Sequence, residues 1–345
     1  MIFVHFLFLW LQLSGSWVFA PAEDIYGYPS SACLSPEGEL FVVLRNQNQV
    51  LKLSTDGQKS FLFGRKGQGP GEYEYAFSLR YLEKDGLLAL MDGITQKVHF
   101  YYPNWDYQFS RTIQGPDQAW AGKVADRNTF IFLDTFQPIT DAENRGAQLF
   151  RLTFGQKPEL IQAFSEKVHQ DPLFVVDGRA SATAFPPWFR KVCWSVSPSG
   201  EWLCYGGNDS LNLIVLNLSN QQKGSFQETL PPRLLDSESV KSFSHKAVLN
   251  GNPHVLRDEK PPLTWPIVQS VQWDFAIRIW VEINCQTSPL EQETYWLFSV
   301  GTKKLGALIL EQNQHFLTAD QNSIWLVNSL GETWTIEKRP LILSD

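Results

Sequence analysis

A turn followed by a short apolar strand recurs along this chain, and the recurrence constrains the fold more than any other feature. Ser35-Pro36-Glu37-Gly38 precedes Glu39-Leu40-Phe41-Val42-Val43-Leu44, Glu83-Lys84-Asp85-Gly86 precedes Leu87-Leu88-Ala89-Leu90, and Ala125-Asp126-Arg127-Asn128 precedes Thr129-Phe130-Ile131-Phe132-Leu133. Ser197-Pro198-Ser199-Gly200 precedes Glu201-Trp202-Leu203-Cys204-Tyr205. Gln272-Trp273-Asp274-Phe275 stands before Ile277-Arg278-Ile279-Trp280-Val281, and Ala319-Asp320-Gln321-Asn322 before Ser323-Ile324-Trp325-Leu326-Val327. Proline presets φ at the second position of a type I turn, and Gly or Asn takes the left-handed conformation that leads into the next strand. A further strand follows after a few polar residues, as at 49–53, 97–102, 149–152, 213–216, 295–298 and 334–336, so each unit reads as a small antiparallel meander.

The turns start at 35, 83, 125, 197, 272 and 319, giving steps of 48, 42, 72, 75 and 47 residues. A propeller blade takes about 40–50 residues. The two long steps therefore carry insertions, at 156–187 and 229–266, neither of which contains the turn-plus-strand signature. Asp236 to Val248 reads as a short helix with Asp236 at its N-cap. One four-stranded unit cannot bury both of its faces, whereas six around an axis can, leaving only short protected edges. The expected fold class is all-β: a six-bladed β-propeller of four-stranded antiparallel blades over residues 23–345. Composition agrees, because aromatics at 14%, with 24 Phe and 13 Trp but only 2 Met, suit packed pleated sheets.

Residues Ile2 to Leu13 form an apolar run broken only by His5 and Gln12, followed by Ser14-Gly15-Ser16 and Trp17-Val18-Phe19-Ala20-Pro21-Ala22. This is the layout of a signal peptide over residues 1–22, cut after Ala22, and it places the mature protein in the periplasm or outside the cell. No Lys or Arg precedes the apolar run, and a retained membrane anchor is the alternative. A spanning helix needs about 20 apolar residues, more than this run or any other segment supplies. The 29 Lys and Arg against 36 Asp and Glu, a net charge of −7, exclude a nucleic-acid binder with a basic face.

Residues 64–73, Gly-Arg-Lys-Gly-Gln-Gly-Pro-Gly-Glu-Tyr, lie between the first unit and the second. This run, the turn-strand copies and the insertion ending at Pro266 resemble bacterial exported six-bladed β-propeller proteins related to NHL-repeat propellers. The resemblance spans roughly residues 25–340 and implies the architecture without an activity. The chain departs from the family in lacking a lipid-anchor cysteine near the cut. A phosphate loop is excluded, because Pro70 sits among the glycines and no Lys followed by Ser or Thr comes after them.

No G-x-S-x-G or H-E-x-x-H motif occurs, and His99 and His315 sit in strand patterns. Cys33, Cys193, Cys204 and Cys285 are too scattered for a disulfide framework or a zinc site. A three-residue loop ending at Gly200 pairs Ser197 with Glu201, sets Trp194 opposite Cys204 and Val196 opposite Trp202, and keeps Cys193 away from Cys204. Asn208 and Asn217 match glycosylation acceptors, and Trp105-Asp106-Tyr107 and Trp188 offer aromatic faces for stacking.

The residues just past the second strand of each unit are Arg45, Asp92, Asp134, Gly206, Glu282 and Asn328. In a propeller they fall on one face, at the channel mouth. Arg45, Asp92, Asp134, Glu282 and Asn328 are thus the candidate ligand-binding residues, and their oxygens could hold calcium. Alternatively each carboxylate caps its own turn, which suits Asp92-Gly93 and Asp134, with Glu282 the freest. Two functions stay open. One is a monomeric, exported propeller without catalysis or cofactor that binds a protein, peptide or glycan across its face. The other is a metal-dependent hydrolase, lactonase or lyase. As a turn cap alone, Asp92 is expected to contribute about 1 kcal/mol.

Overall fold

In a computed structural model the described residues are 16–113, 122–134, 147–164, 174–176, 179–181, 192–235, 263–285, 292–331 and 333–344. The first strand, β1 (Trp17–Phe19), is set apart from the strands that follow it in sequence. Blade one then comprises β2 (Tyr28–Leu34), β3 (Leu40–Arg45), β4 (Gln49–Leu53) and β5 (Ser60–Phe63). Blade two is β6 (Ala76–Leu82), β7 (Leu87–Asp92), β8 (Lys97–Tyr101) and β9 (Tyr107–Thr112). Blade three is β10 (Gly122–Asp126), β11 (Thr129–Asp134), β12 (Gln148–Thr153) and β13 (Glu159–Ala163), followed by a separate hairpin, β14 (Phe174–Val176) and β15 (Arg179–Ser181). Blade four is β16 (Val192–Val196), β17 (Trp202–Gly207), β18 (Leu211–Asn217) and β19 (Lys223–Glu228). Blade five is β20 (Val268–Trp273), β21 (Arg278–Ile283), β22 (Thr294–Ser299) and β23 (Lys304–Ile309). The last blade holds β24 (Gln314–Ala319), β25 (Ser323–Leu330) and β26 (Thr333–Pro340), and takes β1 as its fourth strand. These six four-stranded antiparallel sheets form a six-bladed β-propeller.

The turn chemistry works in two ways. Gly38, Gly86 and Gly200 adopt the left-handed conformation, with φ of 79°, 63° and 72°. At Gly200 the requirement is also steric, because a Cβ there would stand 2.1 Å from the carbonyl oxygen of Ala125 in the preceding blade's turn. Asn128 and Asn322 do not take the left-handed role expected of them. Instead the preceding aspartates hold those turns: Asp126 accepts from the Asn128 N–H at 2.8 Å, and Asp320 from the N–H groups of Asn322 and Ser323 at 2.8 and 2.7 Å. An Asx turn supplies the bend without a positive φ.

Second strands read as continuous apolar runs because both of their faces are covered. In β7 every residue is buried, while no residue of the outer strand β5 is. Six apolar clusters result, one between each pair of neighbouring blades. Phe41, Val43, Leu88 and Leu90 lie in the cluster between blades one and two, and Trp280, Tyr295, Phe316 and Leu326 in that between five and six.

The insertion expected at 156–187 starts later than its sequence suggests, since Glu159–Ala163 is the outer strand of blade three. The second insertion begins after β19 and is tied to blade five by the bridge Pro232 to Cys285, while the helix expected at 236–248 lies outside the described residues. The hairpin β16–β17 also differs. Val196 faces Leu203 and Ser195 faces Cys204, a register one residue longer in the loop than expected, and Ser197 N–H closes it on the Trp202 carbonyl at 2.8 Å. Cys193 therefore faces Gly206, and all four cysteines are free thiols. Among the described residues no helix is long and apolar enough to cross a membrane.

Strand β1 closes the ring. Trp17, Val18 and Phe19 pair with Lys338, Glu337 and Ile336. Phe19 lies 6.4 Å, ring to ring, from Trp334 of blade six, while the Trp17 indole N–H donates to the Thr55 carbonyl of blade one at 2.9 Å. Gly57 makes room for that indole, because a Cβ there would meet it at 2.5 Å. A cut after Ala22 would remove this strand; a cut before Trp17 would keep it. A chain beginning at Glu23 is expected to be less stable than one beginning at Ser16 by about 2–4 kcal/mol, the scale of losing large core aromatics. Equal thermal melting of the two chains would show that β1 contributes nothing to closure.

Candidate functional site

The first strand of each blade, β2, β6, β10, β16, β20 and β24, lies at the axis. Between them runs a channel of about 470 Å³. Polar bonds cross from blade to blade along it. Ser31 Oγ accepts from the Leu79 N–H at 3.1 Å, linking blades one and two, and the Trp273 indole donates to the Ser195 carbonyl at 2.9 Å, linking five and four.

Two cations enter this lining. Arg80 extends from β6 past blade three and donates through Nη2 to the carbonyl of Ser197 in the blade-four turn. Its Nε is buried and has no partner. Lys123, from β10, donates through Nζ to Ser195 Oγ at 3.1 Å and lies 5.7 Å from the centre of the Trp194 ring. Among the described residues no carboxylate forms an ion pair with either, and Glu83 acts on Arg80 only at a distance. Both groups are partly buried and line the channel. Burial pulls the guanidinium pKa down to about 10. Burial, and then the charge of Arg80, pull the Lys123 amine down to about 8. Each shift records the cost of holding like charges away from water.

The sequence-derived candidates stand elsewhere. Arg45, Asp92, Glu282 and Asn328 lie opposite Tyr28, Ala76, Ser270 and Gln314, each near the start of its blade's first strand. This is the end of the blades away from the first turn. Asp134 ends β11 opposite Gln148. Arg45 is exposed. Glu282 accepts from Ser270 Oγ at 2.8 Å, and Asn328 donates to Glu337 at 3.2 Å. Among the described residues no group of three or more His, Cys, Asp or Glu side chains could hold a metal ion.

Asp92 is more than a turn cap. It is 1% exposed and accepts from the N–H groups of Glu74, Tyr75, Ile94 and Thr95 at 2.8, 3.1, 3.0 and 3.3 Å, and from Thr95 Oγ1 at 2.7 Å. It thereby fastens the glycine-rich run, which enters β6, to the turn that leaves β7. Burial raises its pKa, but the donors outweigh burial and hold it below the usual carboxylate range. His315 is satisfied by Glu293, Nδ1 to Oε1 at 2.7 Å, whereas neither ring nitrogen of buried His99 has a partner. The bond to Glu293 raises the His315 pKa.

Other sequence features resolve into packing. Trp105 stacks on Tyr101 at 4.4 Å and on Phe63 at 5.4 Å. Trp188 lies outside the described residues. Asn208 and Asn217 are buried, which leaves neither open to a glycan. In the glycine-rich run Arg65 pairs with Glu72, and Tyr73 is fully buried. Arg80 and Lys123 escaped the sequence reading because it aligned the ends of second strands. A signal was present: each is a lone cation inside an apolar first strand, Leu79-Arg80-Tyr81 and Gly122-Lys123-Val124.

No known family model and no curated protein sequence matches the chain. Solved structures do. A member of the DUF4221 family from Bacteroides vulgatus aligns over 96% of this chain and 97% of its own, with a TM-score of 0.60 at 10% identity. A protein described as exported, from Bacteroides fragilis, aligns over 95% of each chain with a TM-score of 0.50 at 9% identity. Virginiamycin B lyase from Staphylococcus aureus aligns over 95% of this chain and 99% of its own, with a TM-score of 0.48 at 10% identity. At such identities the likeness is one of fold. The class that fold and channel define is a six-bladed β-propeller with a cationic axis.

Replacing Asp92 by Ala strands five donors in a buried corner and is expected to cost about 2–3 kcal/mol in urea unfolding, more than a simple cap, because buried donors lose their acceptor. Asp92 stabilises the fold fully above its unfolded pKa, and that contribution fades as pH falls through its lowered folded value. An Asp92→Asn variant should therefore lose less stability than the parent on acidification; an identical acid profile would contradict this. His315 has the opposite sign. Its contribution is complete below the ordinary value of 6.5 and is lost as pH rises through the raised folded value, so the stability difference from His315→Gln should shrink across that window.

Proposed function

We propose that this protein is an exported binding propeller, without catalysis of its own, whose central channel receives the acidic group of its ligand. The observation that carries this reading is the pair Arg80 and Lys123, enclosed in the channel with no carboxylate partner among the described residues. An anion placed there would offset the desolvation of both cations at once, and charge-assisted hydrogen bonds would hold it. The net charge of −7 sharpens the effect, because the surface as a whole repels anions while the channel attracts them. A carboxylate at the end of a peptide or on a glycan has the required chemistry. Export follows from the apolar run at residues 2–13 and accords with the exported Bacteroides fragilis relative in fold. The metal-dependent alternative needs negative oxygen ligands. The two cations lining the channel do not suit a hard divalent ion, and Asp92 has its oxygens engaged by backbone donors.

Thermal melting with inorganic phosphate, sulfate, succinate or calcium tests the reading. The anions should raise the melting temperature by mass action. Arg80→Gln and Lys123→Gln should each weaken anion binding about tenfold or more, the scale of a charged hydrogen bond. Stabilisation by calcium and indifference to all three anions would favour the metal-dependent enzyme instead.

A further inference from the structure

We propose that Lys123 is a carbonyl-capturing amine, which condenses with an aldehyde or ketone whose acidic group is seated by Arg80. The inference rests on the channel being a site for acidic ligands and names the chemical class of the ligand: a small oxo acid or another acidic carbonyl compound.

The geometry sets Lys123 apart. Among the described lysines only Lys123 lines the channel. Lys66 is 72% exposed beside Glu74, Lys84 is 53% exposed beside Glu201, Lys52 pairs with Glu39 at 2.7 Å, and the half-buried Lys338 packs on Trp325. Lys123 lines a 470 Å³ channel and donates to a neutral hydroxyl, Ser195 Oγ, at 3.1 Å. A carboxylate partner would hold it as ammonium; a hydroxyl does not. Burial disfavours the ammonium form and the nearby guanidinium acts in the same direction, opposed more weakly by the Cys193 thiol. Both are recognised ways of making a lysine nucleophilic, by desolvation and by an adjacent cation. The Trp194 ring and the apolar parts of Leu79 and Val124 complete a wall against which a short carbon chain can lie. Arg80 lines the same channel, and its guanidinium has no ion-pair partner among the described residues.

The condensation balances without an oxidant or reductant. The Lys123 nitrogen lone pair forms a C–N bond to the carbonyl carbon, and the C=O π pair moves to oxygen. One proton passes from nitrogen to that oxygen, giving a carbinolamine. A second proton transfer releases the oxygen as water and leaves the imine. Addition of water to the imine runs the same steps backwards, so the capture is reversible.

Glyoxylate with cyanoborohydride, which reduces any imine to a stable amine, tests the proposal by peptide mapping. Propanal serves as the neutral control. Lys123 should be labelled at least about tenfold faster than the exposed lysines, and glyoxylate should be favoured over propanal at this position. The labelling rate should rise through pH of about 8 rather than near the ordinary lysine value of 10.5. Lys123→Arg and Lys123→Met should both lose the fast adduct, and Arg80→Gln should keep labelling while losing the preference for the acid. Adducts spread over exposed lysines and unchanged in both Lys123 variants would overturn the proposal. If phosphate still raises the melting temperature in that case, the acidic-ligand channel stands and only the amine's role fails; if phosphate is also without effect, both fail.

Discussion

Closure of the ring is the constraint on which everything else depends. Each blade has two apolar faces and no way to cover them alone, so the sixth interface must form for the first to be complete. Strand β1 does this work with three residues, pairing with β26 while its Trp17 reaches Thr55 in blade one. The clusters between neighbouring blades then form an unbroken circle, including the one that joins blade six to blade one through Leu51, Trp325 and Trp334. Backbone pairing at the closure is short, and its stability comes from the aromatic side chains that flank it.

A closed ring of sheets has an axis, and the axis explains where polar chemistry can collect. Second strands sit between two neighbours and are apolar throughout, as in β7. First strands border the channel and can carry Ser31, Arg80, Lys123 and Ser195 without burying them against a flat apolar face. The same enclosure makes those cations costly, because water that would solvate them is limited. Hydroxyl and carbonyl partners, Ser195 Oγ and the Ser197 oxygen, offset part of that cost and leave the charge uncancelled. The result is a positively charged channel inside a protein of net charge −7.

The far end of the blades is governed by local hydrogen bonding. Asp92 satisfies backbone donors from two chain segments, and Glu282 turns inward to Ser270 on the neighbouring strand. Of the residues aligned by repeat, Asp92, Glu282 and Asn328 are engaged by neighbouring segments, while Arg45 is exposed. Repetition places equivalent residues at equivalent heights, but each is free to bond sideways before it can bond toward the axis.

Much of the architecture was legible from residues alone. The turn-plus-strand copies marked every second strand from β3 to β25, because Pro-Glu-Gly, Asp-Gly and Asx turns act locally and continuous apolar runs report burial on both faces. The spacing of those copies specified the number of blades, and the role of Asp92 as a cap followed from its place before Gly93. The β16–β17 register was misjudged by one residue, since hairpin loop length depends on how Ser197 and Ser199 bond within the turn. Nothing local reveals that residues 17–19 complete a sheet formed more than 300 positions later, as the pairing of Trp17 with Lys338 shows. Nor does it reveal that Arg80 and Lys123, 43 residues apart, share one enclosure with Ser195. Turns and strands are decided by neighbours in the chain, whereas closure and the charge of the axis are decided by which blades come together.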